Sequence, residues 1–113
     1  MKVSFNGCGN QVVTFLADGK IKEGSLVKVT DNGTVSQSQM GDEFIGVAVA
    51  VDGEFASVCI GGFVNVKCTD TDIMAGYVSL AADNNGGISA NENGVNKFVV
   101  DVDEAGKTAT ILL

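Results

Sequence analysis

The chain has 113 residues, 45% of them hydrophobic, and fourteen carboxylates against seven lysines for a formal charge of −7, which allows one domain with a real core and excludes a disordered polyanion. It has no His, Arg, Trp or Pro, so the commonest general base and transition-metal ligand is missing, and so is the bidentate fork for phosphate and guanine. The negative field repels nucleic acid, and no apolar run approaches the roughly 18 residues of a membrane span.

Residues 1–10 read Met-Lys-Val-Ser-Phe-Asn-Gly-Cys-Gly-Asn: a brief alternation, then a glycine-broken stretch, expected to be an amino-terminal arm that orders on a partner. With one lysine and no apolar h-region the arm does not read as a signal peptide, so synthesis and residence in the cytoplasm are expected. Residues 11–113 are expected to form one β domain. A strand is predicted over 11–16, ended by Ala17-Asp18-Gly19-Lys20, and a second over 25–30, where Leu26 with Lys28 and Val27 with Val29 take opposite faces. Asp31-Asn32-Gly33 turns the chain into Thr34-Val35-Ser36, and residues 36–41 read as polar loop.

Residues 44–63 carry the strongest local signal. Two β-branched runs flank Asp52-Gly53, the signature of a two-residue type I′ hairpin loop. That register sets Val51 opposite Glu54, Val49 opposite Ala56, Val47 opposite Val58 and Ile45 opposite Ile60, one apolar face throughout. The reverse face then holds Gly46, Ala48 and Ala50 opposite Cys59, Ser57 and Phe55, small enough along most of its length for a second subunit to approach. Gly46, Ala48, Ala50 and Phe55 are therefore the expected protomer contacts.

Further strands are predicted over 63–67 and 77–80, with a glycine-rich turn at 83–87 before Ile88, and a closing hairpin pairs 97–102 with 108–113 around Glu104-Ala105-Gly106-Lys107. No apolar period near 3.6 persists. Short antiparallel strands with turn signals about every 8–12 residues indicate an all-β fold, a small single-domain barrel or sandwich. Gly24, Leu26, Val27, Asp31, Asn32, Gly33 and Val35 echo Gly76, Tyr77, Val78, Asp83, Asn84, Gly86 and Ile88. Two copies of a strand-turn-strand-hairpin unit sharing one core would produce this echo, and so would turn chemistry common to small β proteins.

Chemistry is sparse. The acidic clusters at Asp31, Asp70 with Asp72, Asp83, and Asp101 with Asp103 and Glu104 offer calcium-type oxygen ligands, but no twelve-residue loop ends in a bidentate glutamate, and Asp and Asn beside glycine read as turn formers. Cys8, Cys59 and Cys68 lack metal-ligand spacing and have no histidine to activate a thiolate. The expectation is a non-enzyme with no catalytic residue, no cofactor and no metal site.

The strand Val13-Thr14-Phe15, the run Ile21-Lys22-Glu23-Gly24-Ser25-Leu26-Val27, the hairpin start Phe44-Ile45-Gly46-Val47-Ala48, the passage Val58-Cys59-Ile60-Gly61-Gly62-Phe63-Val64, Gly76-Tyr77-Val78 and the terminal Thr110-Ile111-Leu112-Leu113 together resemble the capsid decoration, or cement, proteins of tailed bacteriophages, in the group that includes lambda-type head decoration proteins. The resemblance implies a structural virion protein, made in the host bacterial cytoplasm and carried on the capsid surface. Its implied partners are the major capsid protein and further copies of itself, a trimer being favoured, with no nucleic acid or membrane partner. Lys2, Val3 and Phe5 in the arm are the expected capsid contacts. The alternative is a tail-associated or carbohydrate-recognising β binding module.

Overall fold

A computed structural model describes residues 11–113. The expected arm, with Lys2, Val3, Phe5 and Cys8, lies outside the described residues. The described chain is all-β: β1 (Gln11–Ala17), β2 (Leu26–Asp31), β3 (Thr34–Gln37), β4 (Gly46–Asp52), β5 (Phe55–Gly61), β6 (Phe63–Lys67), β7 (Gly76–Ala82), β8 (Ile88–Ala90), β9 (Val95–Asp103) and β10 (Thr108–Leu112). The first five strands close into a barrel in the order β1-β3-β2-β4-β5, and the last five form an open sheet in the order β6-β10-β9-β7-β8.

These two orders are the same. Traced in the opposite direction from β1, the barrel runs β1-β5-β4-β2-β3, which matches β6-β10-β9-β7-β8 strand for strand. The halves share an irregularity as well. In the β4–β5 hairpin Ala48 faces Val58 and Ala50 faces Ser57, so Val49 is an extra residue. In the β9–β10 hairpin Val99 faces Ile111 and Asp101 faces Thr110, so Val100 is extra at the corresponding place. A β-bulge of this kind bends its strand and increases its twist. Aligned on the bulges, Leu26 corresponds to Tyr77 and Val27 to Val78, as the sequence echo has it.

The halves differ in closure. In the barrel β1 and β3 meet in parallel, Leu16 with Thr34 and Ala17 with Val35. In the second half the matching strands touch only at a single parallel bridge, Cys68 with Ile88.

The predicted register of the central hairpin needs correction. Asp52 faces Phe55 and the two-residue loop is Gly53-Glu54, with Gly53 alone at positive φ (59°). A glycine at the first loop position satisfies the II′ pattern, whereas the type I′ reading would have placed Asp52 in the left-handed region. Below the bulge Val47 faces Cys59, not Val58. The predicted face is therefore broken at Val49, below which Ala48 takes the inward place expected for Val47. Val51, Ala48, Ala56 and Val58 pack inside the barrel, Val47 turns outward into a second core, and Val49 is 50% exposed.

Two cores result. The barrel interior holds Ile21, Val27, Val35, Ala48, Ala56 and Val58. The other core is lined by the inner face of the second sheet, including Leu80, Ile88, Val99 and Ile111, and is completed by Leu26, Phe44 and Val47 from the first half. Alternation along β2 sends Leu26 into one core and Val27 into the other. The expectation of one shared core thus holds for the second cluster, while the first is enclosed within the barrel. The loop after β3 ties the halves by backbone bonds: Gly41 N–H donates to Ala82 O and Ala82 N–H donates to Asp42 O, both at 2.9 Å.

Candidate interaction surfaces

Four of the carboxylates that looked chemically competent in sequence, Asp31, Asp70, Asp83 and Asp103, accept hydrogen bonds from backbone amides. Asp83 Oδ1 accepts from the N–H groups of Asn85 and Gly87, both at 2.8 Å, which pins the turn that carries the chain into β8. Asp70 accepts from Asp72 N–H and, across a loop, from Ala90 N–H. Asp103 Oδ1 accepts from Gly106 N–H and Asp31 Oδ1 from Asn32 N–H. The Asp70–Asp72 and Asp83–Asn85 bonds are Asx turns, where a short carboxylate replaces a backbone acceptor, and the remaining bonds tie the same kind of side chain to other amides, the most distant at Ala90. Among the described residues no group of three or more His, Cys, Asp or Glu side chains is arranged to hold a metal ion.

The described thiols are poorly placed for nucleophilic work. Cys59 and Cys68 are both free and buried. Cys59 Sγ donates to Gly61 O at 3.2 Å and Cys68 Sγ to Asp70 O at 3.6 Å. Burial pushes the Cys68 thiol above its ordinary range, so the reactive thiolate is disfavoured. Cys68 lines a cleft of about 70 Å³ with Asp70, Ile73, Val102, Glu104 and Lys107, well under the roughly 300–1,000 Å³ of an ordinary small-molecule site. Elsewhere a partly exposed ion pair joins Lys28 Nζ to Asp42 Oδ2 at 2.7 Å. That hydrogen bond from Lys28, with a second from Gln39 N–H, holds the Asp42 carboxyl below its usual value.

What the surface does offer is apolar. On the second sheet β7, β9, β10 and β6 bring Tyr77, Phe98, Leu112 and Phe63 into one cross-strand row. Tyr77 and Phe98 meet edge to face, with ring centroids 4.8 Å apart at 76°, a favoured aromatic geometry. Tyr77 is nonetheless 73% exposed, and Phe98 and Leu112 are also exposed. Phe98 and Leu112 alternate with the buried Val99 and Ile111, so the row lies on the face turned away from the shared core.

The matching row of the barrel runs Leu26, Val47, Cys59, Val12. There Leu26, Val47 and Cys59 are buried and only Val12 is exposed. A second exposed strip lies near the turn end of the barrel, where Leu16 faces Phe55, both about half exposed, and the next cross-strand row is Thr14, Ser57 and Ala50.

The expected protomer contacts divide accordingly. Ala50 and Phe55 are exposed beside Leu16, but Gly46 and Ala48 are buried within this chain. Ala48 points into the barrel, and a Cβ at Gly46 would collide with the carbonyl of Cys59. The small residues at 46 and 48 thus serve strand packing inside the molecule. Leu16 and the Tyr77–Phe98–Leu112 row were not singled out from sequence. A period-two reading of 97–102 puts Phe98 opposite in face to Val99, the one local signal that marks the row. Compared with known proteins, the chain matches no family model and none of the curated sequences.

Proposed function

We propose that this chain is a structural binding protein that attaches to the outside of a phage capsid and reinforces it, working as a homo-oligomer, with a trimer favoured. The observation that carries a binding role is the pairing of inert polar groups with exposed apolar rows. The carboxylates of Asp31, Asp70, Asp83 and Asp103 accept from backbone amides, Cys59 and Cys68 are buried, and Tyr77, Phe98, Leu112, Leu16 and Phe55 are left at the surface. Exposed apolar patches on a rigid scaffold are the usual mark of protein interfaces. The capsid as partner comes from the sequence resemblance, with Lys2, Val3 and Phe5 as its contact residues.

The test is co-sedimentation of the purified chain with empty phage heads. Binding to expanded heads well above binding to unexpanded ones is expected, weakened by removal of residues 1–10, and failure to sediment with either kind rejects the reading. The carbohydrate-binding alternative is favoured by one feature, the exposed Tyr77 ring, since aromatic faces stack on sugars. Signal on a glycan array, lost in Tyr77→Ser, with no head binding, would establish it instead.

A further inference from the structure

We infer that Asn32 is a site of spontaneous modification, at which the chain slowly converts this asparagine to isoaspartate and aspartate and loosens the seam of its own barrel. The inference goes beyond the proposed function and is independent of any partner. Asparagine is a thermolabile residue, most of all before glycine, whose amide nitrogen reaches the neighbouring side-chain carbonyl with no side chain of its own in the way. That nitrogen loses its proton and attacks Cγ of the asparagine; ammonia leaves and a cyclic imide forms. Water then opens the imide at either carbonyl, giving aspartate or isoaspartate. Only water is consumed.

The described chain has three such pairs, Asn32-Gly33, Asn85-Gly86 and Asn93-Gly94, and the fold treats them differently. Gly94 N–H donates to Asn91 O at 2.9 Å, so the nitrogen that must attack is held. Gly86 is buried against Ser25 and its carbonyl accepts from Leu26 N–H. The N–H groups on either side of it, those of Asn85 and Gly87, are fixed on Asp83 Oδ1, so this peptide cannot swing onto the Asn85 side chain. Asn32 and Gly33, by contrast, are exposed at the tip of the β2–β3 hairpin. Among the described residues nothing accepts from the Gly33 N–H and nothing bonds the Asn32 side chain. One contact favours the reaction: Thr34 Oγ1 donates to Asn32 O at 3.1 Å. That oxygen takes up negative charge when the Gly33 nitrogen loses its proton, so the hydroxyl stabilises the nucleophile, as a donor does wherever charge develops.

The consequence falls on barrel closure. Isoaspartate routes the main chain through the side-chain methylene and lengthens the turn between residues 32 and 33. Gly33 O accepts from Leu16 N–H at 2.9 Å, beside the pairs Leu16–Thr34 and Ala17–Val35 that join β1 to β3. Displacing that carbonyl removes one bond of a short seam and moves the first half toward the open arrangement of the second. The product also carries one negative charge beyond the formal −7, which separates it by anion exchange.

The test ages the full chain in mildly alkaline buffer, with Asn6→Gln throughout because the Asn6-Gly7 pair lies outside the described residues. Cleavage at lysine then puts Asn32-Gly33 in the peptide 29–67 and the other two pairs in 68–97, and fragmentation in the mass spectrometer locates each conversion. Asn32 should convert ~10-fold faster than Asn85 or Asn93 in the folded chain, and the three should react alike in denaturant. Thr34→Val should slow Asn32 by ~5-fold, the rate equivalent of one hydrogen bond, while Thr34→Ser keeps the original rate. The aged acidic fraction, rich in isoaspartate, should melt below an Asn32→Asp chain, which has the same charge on an unaltered backbone. An Asn32 that stays intact while the denatured chain reacts, or one that converts no faster than Asn85 and Asn93, overturns the assignment. An unchanged rate in Thr34→Val overturns the part given to the hydroxyl, and equal melting of the two products overturns the effect on the seam.

Discussion

The two halves of this protein are the same strand diagram solved twice with different outcomes. In the first, β1 and β3 meet and the sheet becomes a barrel with its own interior; in the second, the corresponding strands touch at one bridge and the interior is completed by borrowed side chains. The exchange explains why one outer row is buried and the other is bare. A half that donates Leu26 and Val47 from its outer face has that face covered, whereas a half that receives them on its inner face keeps its outer face in solvent. Surface character therefore follows from which half lends residues to the other, not from strand order.

Equivalent positions in the two halves should respond to mutation very differently, and the largest contrast is at Gly46. A side chain there strikes the Cys59 carbonyl, whereas the bulge-aligned residue of the second half is Lys97, on the open sheet. Gly46→Val should cost more than about 4 kcal/mol or abolish folding, while Lys97→Val stays within about 0.5 kcal/mol, both read by denaturant titration. Equal costs would mean that the halves are not packed as unequally as described.

Next is Leu26, fully buried in the shared core, against its counterpart Tyr77. Leu26→Ala should lose about 3 kcal/mol through the cavity it leaves; Tyr77→Ala should lose about 1 kcal/mol, roughly the worth of its ring contact with Phe98. The turns give a smaller contrast. Asp83 is nearly buried and anchors two amides, while Asp31 is exposed and anchors one. Asp83→Ala should cost about 2 kcal/mol and Asp31→Ala less than about 0.5 kcal/mol.

The smallest effect sharpens the link between halves. Asp42 pairs with Lys28 and its backbone carbonyl accepts from Ala82. Its carboxyl titrates below the ordinary 3.8, so its ionised form is favoured by folding, and that stability is present above pH 3.8 and lost as pH falls through the lowered value. Asp42→Asn should therefore be less stable than wild type at neutral pH, with the gap closing in acid, measured by thermal melts across pH.

Much of the strand plan was legible because the turn residues are explicit: Asp31-Asn32-Gly33, the glycine-rich 83–87 and 104–107 all sit where the chain reverses. The central register was not. Val47-Ala48-Val49-Ala50-Val51 is apolar at every position although Ala48 and Val51 face the barrel, Val47 the shared core, and Val49 and Ala50 solvent, so alternation carries no mark of which side is in, and a one-residue bulge passes unseen. The parallel β1–β3 closure rests on two residue pairs far apart in sequence, too little to read from local pattern. The surface was hidden for a related reason. Tyr77, Phe98 and Leu112 look like core residues in a strand, and whether such a row is wet depends on what packs over the sheet.

The placement of Tyr77 also has a spectroscopic consequence. It is the chain's single tyrosine and there is no tryptophan, so nearly all ultraviolet emission from this protein originates at one ring on the outer face of the second sheet. Its intensity and its accessibility to a collisional quencher report on that face alone, and any molecule that settles there announces itself without a label.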